Sequence, residues 1–308
     1  MIHENCEGKM NLKSEFLRRW SLLAPYDKNL VVFCSILSIY ILLFHRNLES
    51  GLLKFSGHLL LIVLVLLVIP WMSRQKSSGW HFLRHWYIII GLPLLYWDNG
   101  NLIHGIFPQV FDQYIIKFEI WLFGISPNIW LQKFVRPVLT EILQISYSIY
   151  WITIPLGGAV FYFKKEYRHF EYLLYYITIT FFISYACFIL FPVAGPRFTL
   201  ADQLVVPYQG IWIGGSLRKF MTVVGYRGGA FPSSHVGVAL VILIYVWYFK
   251  PRLAVCLFLP LVTALSLATI YGQYHYVSDV LAGILMGLII GFWGARHARV
   301  KLPQATGN

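Results

Sequence analysis

Ala230-Phe231-Pro232-Ser233-Ser234-His235 stands at the mouth of an apolar run that continues to about Phe249, and Tyr274-His275-Tyr276-Val277-Ser278-Asp279 stands at the mouth of another. One helix down, the basic turn Lys250-Pro251-Arg252 and one helix back separate the two histidines. That spacing returns both to the same face of a membrane. Proline followed by two serines is a good helix start. A helix start offers free N–H groups and a positive dipole end, which together hold an anion.

The composition around these stretches sets the class. The chain has 308 residues, 58% apolar and only 12% charged. A soluble domain carries roughly twice that charge. Several apolar runs approach or exceed the roughly 18 residues that span a bilayer. The expectation is an all-α membrane protein with about eight transmembrane helices and a helical-bundle core from about residue 137 to 296. The net charge of +12 does not point to nucleic acid, because the basic residues cluster in short loops between spans, as membrane topology requires. Cys6, Cys34, Cys187 and Cys256 follow no metal or disulfide spacing. The polar start of the chain predicts no cleaved leader.

Three regions follow. Residues 1–136 hold an interfacial amphipathic segment, three spans and a stretch, 104–136, expected to lie in or dip into the membrane surface. Residues 137–296 form the core, with one long loop, 192–232, of a length that is usually functional. Residues 297–308 are a basic, then polar, tail. With eight spans the Lys and Arg residues fall mainly on the side of the two termini. This predicts cytoplasmic termini and a non-cytoplasmic site in a multi-pass protein.

The residues that can do chemistry gather at that face. His235 stands in the first turn of its helix, with Ser233 and Ser234 at the anion-holding start. His275 and Asp279 are four apart and share a helix face. A carboxylate there can hold one imidazole nitrogen and leave the other to attack. The plainer alternative is a structural His–Asp pair between packed helices. Arg197, in Gly195-Pro196-Arg197, suits bidentate phosphate binding, or it is an interfacial arginine that snorkels. Arg227 is a second candidate phosphate ligand; Arg218 and Lys219 are weaker ones. Two histidines and a carboxylate could also hold a metal, but the nearby arginines favour an anion, so no metal or other cofactor is expected.

These residues resemble the integral-membrane type 2 phosphatidic acid phosphatase superfamily. The motifs are Gly195-Pro196-Arg197, Pro232-Ser233-Ser234-His235 and His275-Tyr276-Val277-Ser278-Asp279. The resemblance implies a lipid phosphate substrate drawn from the membrane. It implies His275 as the nucleophile that forms a phosphohistidine, Asp279 as its orienting group and His235 as the proton donor. Arg197 with Ser233 and Ser234 would hold the phosphate, and no metal is needed. Two features depart from the family pattern. No lysine precedes Arg197 at Ile189-Leu190-Phe191, and Ala268-Thr269 stand where Ser-Arg is usual; Arg227 could substitute for one absent ligand. The departures look like the inositol phosphorylceramide synthase-like branch, as do Phe111-Asp112, Leu122-Phe123-Gly124, Glu141, Tyr147 and Tyr150.

Two activities follow from one triad. Water attacking the phosphohistidine makes a lipid phosphatase; a lipid or head-group alcohol attacking it makes a phosphotransferase. A transporter would show paired halves with broken helices at mid-membrane, and no internal repeat is visible. A binding protein without activity is kept open by the absent phosphate ligands.

Overall fold

The computed structural model describes residues 12–302. Expectations for residues 1–11, including Cys6, and for the end of the tail, 303–308, lie outside the described residues. The described part of the amphipathic segment is helix α1, Leu12–Ser21. Its Glu15 pairs with Arg18 and Arg19, each at 2.7 Å, while Phe16 and Leu17 stay exposed.

Helices α2 (Pro25–Phe44), α3 (Gly51–Met72) and α4 (Ser78–Gly100) come next. The lateral helix α5 is Asp112–Phe123. Where one fourth span is expected, the chain makes two helices, α6 (Pro137–Ser148) and α7 (Tyr150–Tyr162). The hydroxyls of Ser146, Ser148 and Thr153 bond back to carbonyls four residues earlier around the junction at Ile149. Such back-bonding bends helices, and Pro155 lies just beyond. Then come α8 (Tyr167–Leu190), α9 (Gly214–Val224) inside the long loop, and α10 (Ser234–Phe249). Helix α11 (Pro251–Tyr271) and helix α12 (Val277–Lys301) complete the bundle.

Among the described residues, five helical stretches are long and apolar enough to cross a membrane: Pro25–Asn47, Gly51–Met72, Tyr167–Leu190, Pro251–Tyr271 and Val277–Lys301. Helix α10 is apolar but shorter. The expectation of eight crossings adds α4, the α6–α7 pair and α10 to these five. Leu43, Leu53, Leu94 and Leu285 are exposed on the outside of the bundle. An apolar exterior over a packed core is what a bilayer requires. This is an integral-membrane, all-α fold.

The contact that positions the site is α10 against α12. Gly283, Gly287 and Gly291 recur every four residues on one face of α12. A Cβ at Gly283 would lie 2.5 Å from the Ser233 carbonyl, and one at Gly287 would lie 2.8 Å from the Gly237 carbonyl. Small residues at this spacing let two helix backbones approach closely in a membrane. The approach brings the starts of both helices together: the Ser233 N–H donates to the Asp279 carbonyl at 2.9 Å.

Candidate active site

Two loops are joined before either histidine is reached. The Val193 N–H donates to the Gly228 carbonyl at 3.2 Å and the Ala230 N–H donates to the Val193 carbonyl at 2.9 Å. This single parallel bridge sets the Arg197 loop beside the His235 loop. Gly195 has φ +96, and a Cβ there would meet the Tyr274 carbonyl at 2.9 Å. Only glycine fits that conformation in so close a gap.

The His275 ring is buried and fixed. Its Nδ1 lies 2.9 Å from the Ala230 carbonyl. A carbonyl can only accept, so Nδ1 carries the proton and Nε2 keeps its lone pair. The Asp279 carboxylate is farther from Nδ1, at 3.5 Å, and accepts the Tyr276 N–H at 2.9 Å. The nearest orienting group is therefore the Ala230 carbonyl, with the carboxylate behind it. The main chain at His275 is held as well: its N–H donates to the Thr269 carbonyl at 3.1 Å, and its carbonyl accepts from Asn128 Nδ2 at 3.2 Å. Burial first, then the neighbouring His235 and Arg197, hold this imidazole well below the usual histidine range. The neutral, nucleophilic form is favoured.

His235 faces His275 with ring centroids 5.7 Å apart at 63°. Tyr147 and Tyr150 flank it at 5.2 and 4.5 Å, one on each side of the α6–α7 break. Its Nε2 is 3.3 Å from the Tyr147 hydroxyl. Its Nδ1 is buried with no partner among the described residues. The Ser233 hydroxyl is likewise buried without a partner and does not cap its own helix; Ser234 is 3% exposed. A pair of polar atoms left unpaired inside a protein is costly, and one of the two belongs to the histidine pair itself.

Arg197 lies over Phe198 at 4.7 Å and Tyr274 at 5.4 Å. Its Nη1 donates to the Met221 carbonyl at 3.1 Å, and its Nε has no partner among the described residues. Arg227 is exposed and lies 5.2 Å from the same Phe198 ring. Arg218, weighed as a weaker candidate, is drawn further in: it donates to the Gly272 carbonyl at 2.7 Å and lies close enough to Arg197 for the two charges to repel. Arg197, Ser234 and His235 line a mostly apolar cavity of about 250 Å³ that runs between α4 and α7. His275 and Asp279 do not line it. Among the described residues, no group of three or more His, Cys, Asp and Glu is placed to hold a metal.

The profile of the PAP2 superfamily matches residues 113–293, more than half of the chain. The chain belongs to the PAP2 superfamily. No curated protein and no solved structure matches it. Membership makes this a phosphatase-type membrane enzyme acting on a phosphate-bearing substrate.

Acidic residues outside the three motifs support the site in this PAP2 protein in a way that the motif reading, which named Asp112 and Glu141 only as branch features, did not anticipate. Asp112 accepts from the Ala194 and Gly195 amides at 2.7 and 2.8 Å, and from the Thr199 and Tyr276 hydroxyls at 3.1 Å each. Glu119 accepts from the Ser278 N–H at 2.8 Å and its hydroxyl at 3.1 Å. Asp112 thus holds the Arg197 loop, and Glu119 and Asn128 hold the His275 loop. Glu141 accepts from four successive amides, Ile211, Trp212, Ile213 and Gly214, at 2.8 to 3.1 Å. That grip ties α9, which carries Arg218, to α6. Acidic side chains within apolar helices were the available signal, since such groups are retained in membranes only with a role.

Proposed function

We propose that this PAP2 protein cleaves a phosphate ester of a membrane lipid through a covalent intermediate on His275. The observation that carries the reading is the fixed tautomer of His275, which leaves Nε2 unprotonated with the His235 ring 5.7 Å away, centroid to centroid. His275 Nε2 attacks phosphorus as the bond to the ester oxygen breaks. His235 gives its proton to the departing oxygen. Water then attacks the phosphohistidine, His235 takes the proton back, and inorganic phosphate leaves. Arg197 and the Ser233–Ser234 helix start neutralise the charge on the equatorial oxygens, with Arg218 and Arg227 nearby. Asp279 supports His275 through the imidazolium-like stage. Positioning and charge stabilisation of this kind are the main needs of phosphoryl transfer.

A second reading is transfer to a lipid alcohol in place of water. It is favoured by the apolar cavity beside His235, where the buried Tyr150 and Tyr185 hydroxyls have no partner among the described residues. A hydroxyl carried on an apolar tail suits those walls.

The test is trapping of phosphorus-labelled enzyme from a labelled lipid phosphate by a denaturing quench at alkaline pH, with and without a long-chain alcohol. Wild-type protein is expected to carry alkali-stable label, and His275→Ala is expected to lose it, with turnover down at least about a thousandfold. Turnover by His275→Ala at the wild-type rate would sink the assignment. Free phosphate as the product in both conditions supports hydrolysis; label moving to the alcohol supports transfer.

A further inference from the structure

We propose that the end of the bundle opposite the histidines binds one anionic phospholipid, with its head in a polar cavity and one acyl chain in an adjoining groove. Two cavities meet there and share Pro25 and Lys28. The first, about 430 Å³, has a mixed lining with somewhat more polar than apolar surface. It lies among the starts of α2, α4 and α8 and takes in Ser73, His81, Arg84, Arg168 and Glu171. The second, about 790 Å³, is a largely apolar groove between α2 and α8, with Lys301 at the same end. On α2 it reaches from Pro25 to Tyr40, roughly 22 Å at 1.5 Å per residue, which is most of a bilayer's hydrocarbon core.

The charges favour an anion. Arg84 is already matched by Asp27. Lys28 and Arg168 rest on the Trp20 and Tyr172 rings, at 5.8 and 6.0 Å. Neither they nor Lys301 form an ion pair within 4 Å among the described residues. Glu171 is the acidic residue on the cavity wall, so these three cations outnumber it. A polar, cationic chamber opening into a bilayer-length apolar groove matches a molecule with an anionic head and a long chain. Neither part explains the other if the ligand is a free ion or a neutral hydrocarbon. Basic pockets between membrane helices are a known form of head-group site.

The site is separate from the catalytic machinery, so it is tested by binding and not by turnover. Purified full-length protein in detergent is titrated with phosphatidylglycerol, phosphatidylcholine or glycerol 3-phosphate; Tm and lipid retained in native mass spectrometry are read. Phosphatidylglycerol is expected to raise Tm and be retained at least about tenfold over phosphatidylcholine. The variant Lys28→Gln/Arg168→Gln/Lys301→Gln is expected to lose that preference while keeping basal activity. Ala186→Trp, which fills the groove, is expected to lose retention with the cations intact. Equal retention of both lipids by wild type, an equal Tm rise from glycerol 3-phosphate, or full preference in both variants overturns the proposal.

Discussion

Asp112 shows how much of this candidate site depends on a single carboxylate away from the histidine pair. Two amides and two hydroxyls converge on it. Asparagine in its place offers one oxygen and turns an NH2 toward donors. Each donor left buried without an acceptor costs about 1–3 kcal/mol. Asp112→Asn is therefore expected to lower kcat tenfold or more, with helical content by circular dichroism unchanged. Glu119 should behave differently. Burial pushes its carboxyl up from the usual range, and the Ser278 bonds oppose this only in part. A raised pKa in the folded state favours the neutral acid, so the stability Glu119 contributes is present at low pH and lost as pH rises. Glu119→Gln keeps an acceptor for Ser278 and removes the ionisation. The Tm of the variant relative to wild type is expected to increase between about pH 4 and pH 8, whereas Glu119→Ala should lose activity throughout. The histidines, Asp279 and Arg197 were legible in the sequence because ionisable groups at the ends of apolar runs are rare. The Ala230 carbonyl was not, since main-chain acceptors leave no mark on residue identity.

Helices α10 and α12 act as one element because their backbones touch. Gly283→Ala would put a methyl 2.5 Å from the Ser233 carbonyl, and a main-chain atom cannot swing aside. The helix starts must separate, stretching the Ser233–Asp279 bond. Overpacking of this kind costs about 1–3 kcal/mol. The expected result is a lower Tm and at least a tenfold loss of turnover, while Gly57→Ala, which meets nothing within 4 Å, should change neither. The four-residue glycine spacing was readable in the sequence and would have named this contact. The α6–α7 break was harder to read, because apolar character runs straight through Ile149.

At the scale of the molecule, the all-helical, membrane-embedded bundle was legible from hydropathy and short basic loops. Sidedness rests on those loops alone and is a separate prediction. In a cysteine-free background, Asp202→Cys is expected to react with an impermeant maleimide on intact cells. Lys164→Cys is expected to react only after permeabilisation. The reverse pattern would invert the topology. One grip described above also bears on how the molecule tolerates change. Glu141 holds the peptide groups of residues 211–214, not their side chains, and Ile211, Trp212 and Ile213 point outward with 52%, 85% and 53% exposure. A carboxylate that reads only peptide groups is indifferent to what the chain spells there. Drift at those three positions changes what the loop shows to lipid or solvent, while the constraint falls on Glu141 and on Gly210, where a Cβ would sit 2.2 Å from the Glu141 Oε2. A saturation scan would find three permissive positions beside two intolerant ones, so an outer loop that looks unconstrained can vary freely around an anchor that cannot.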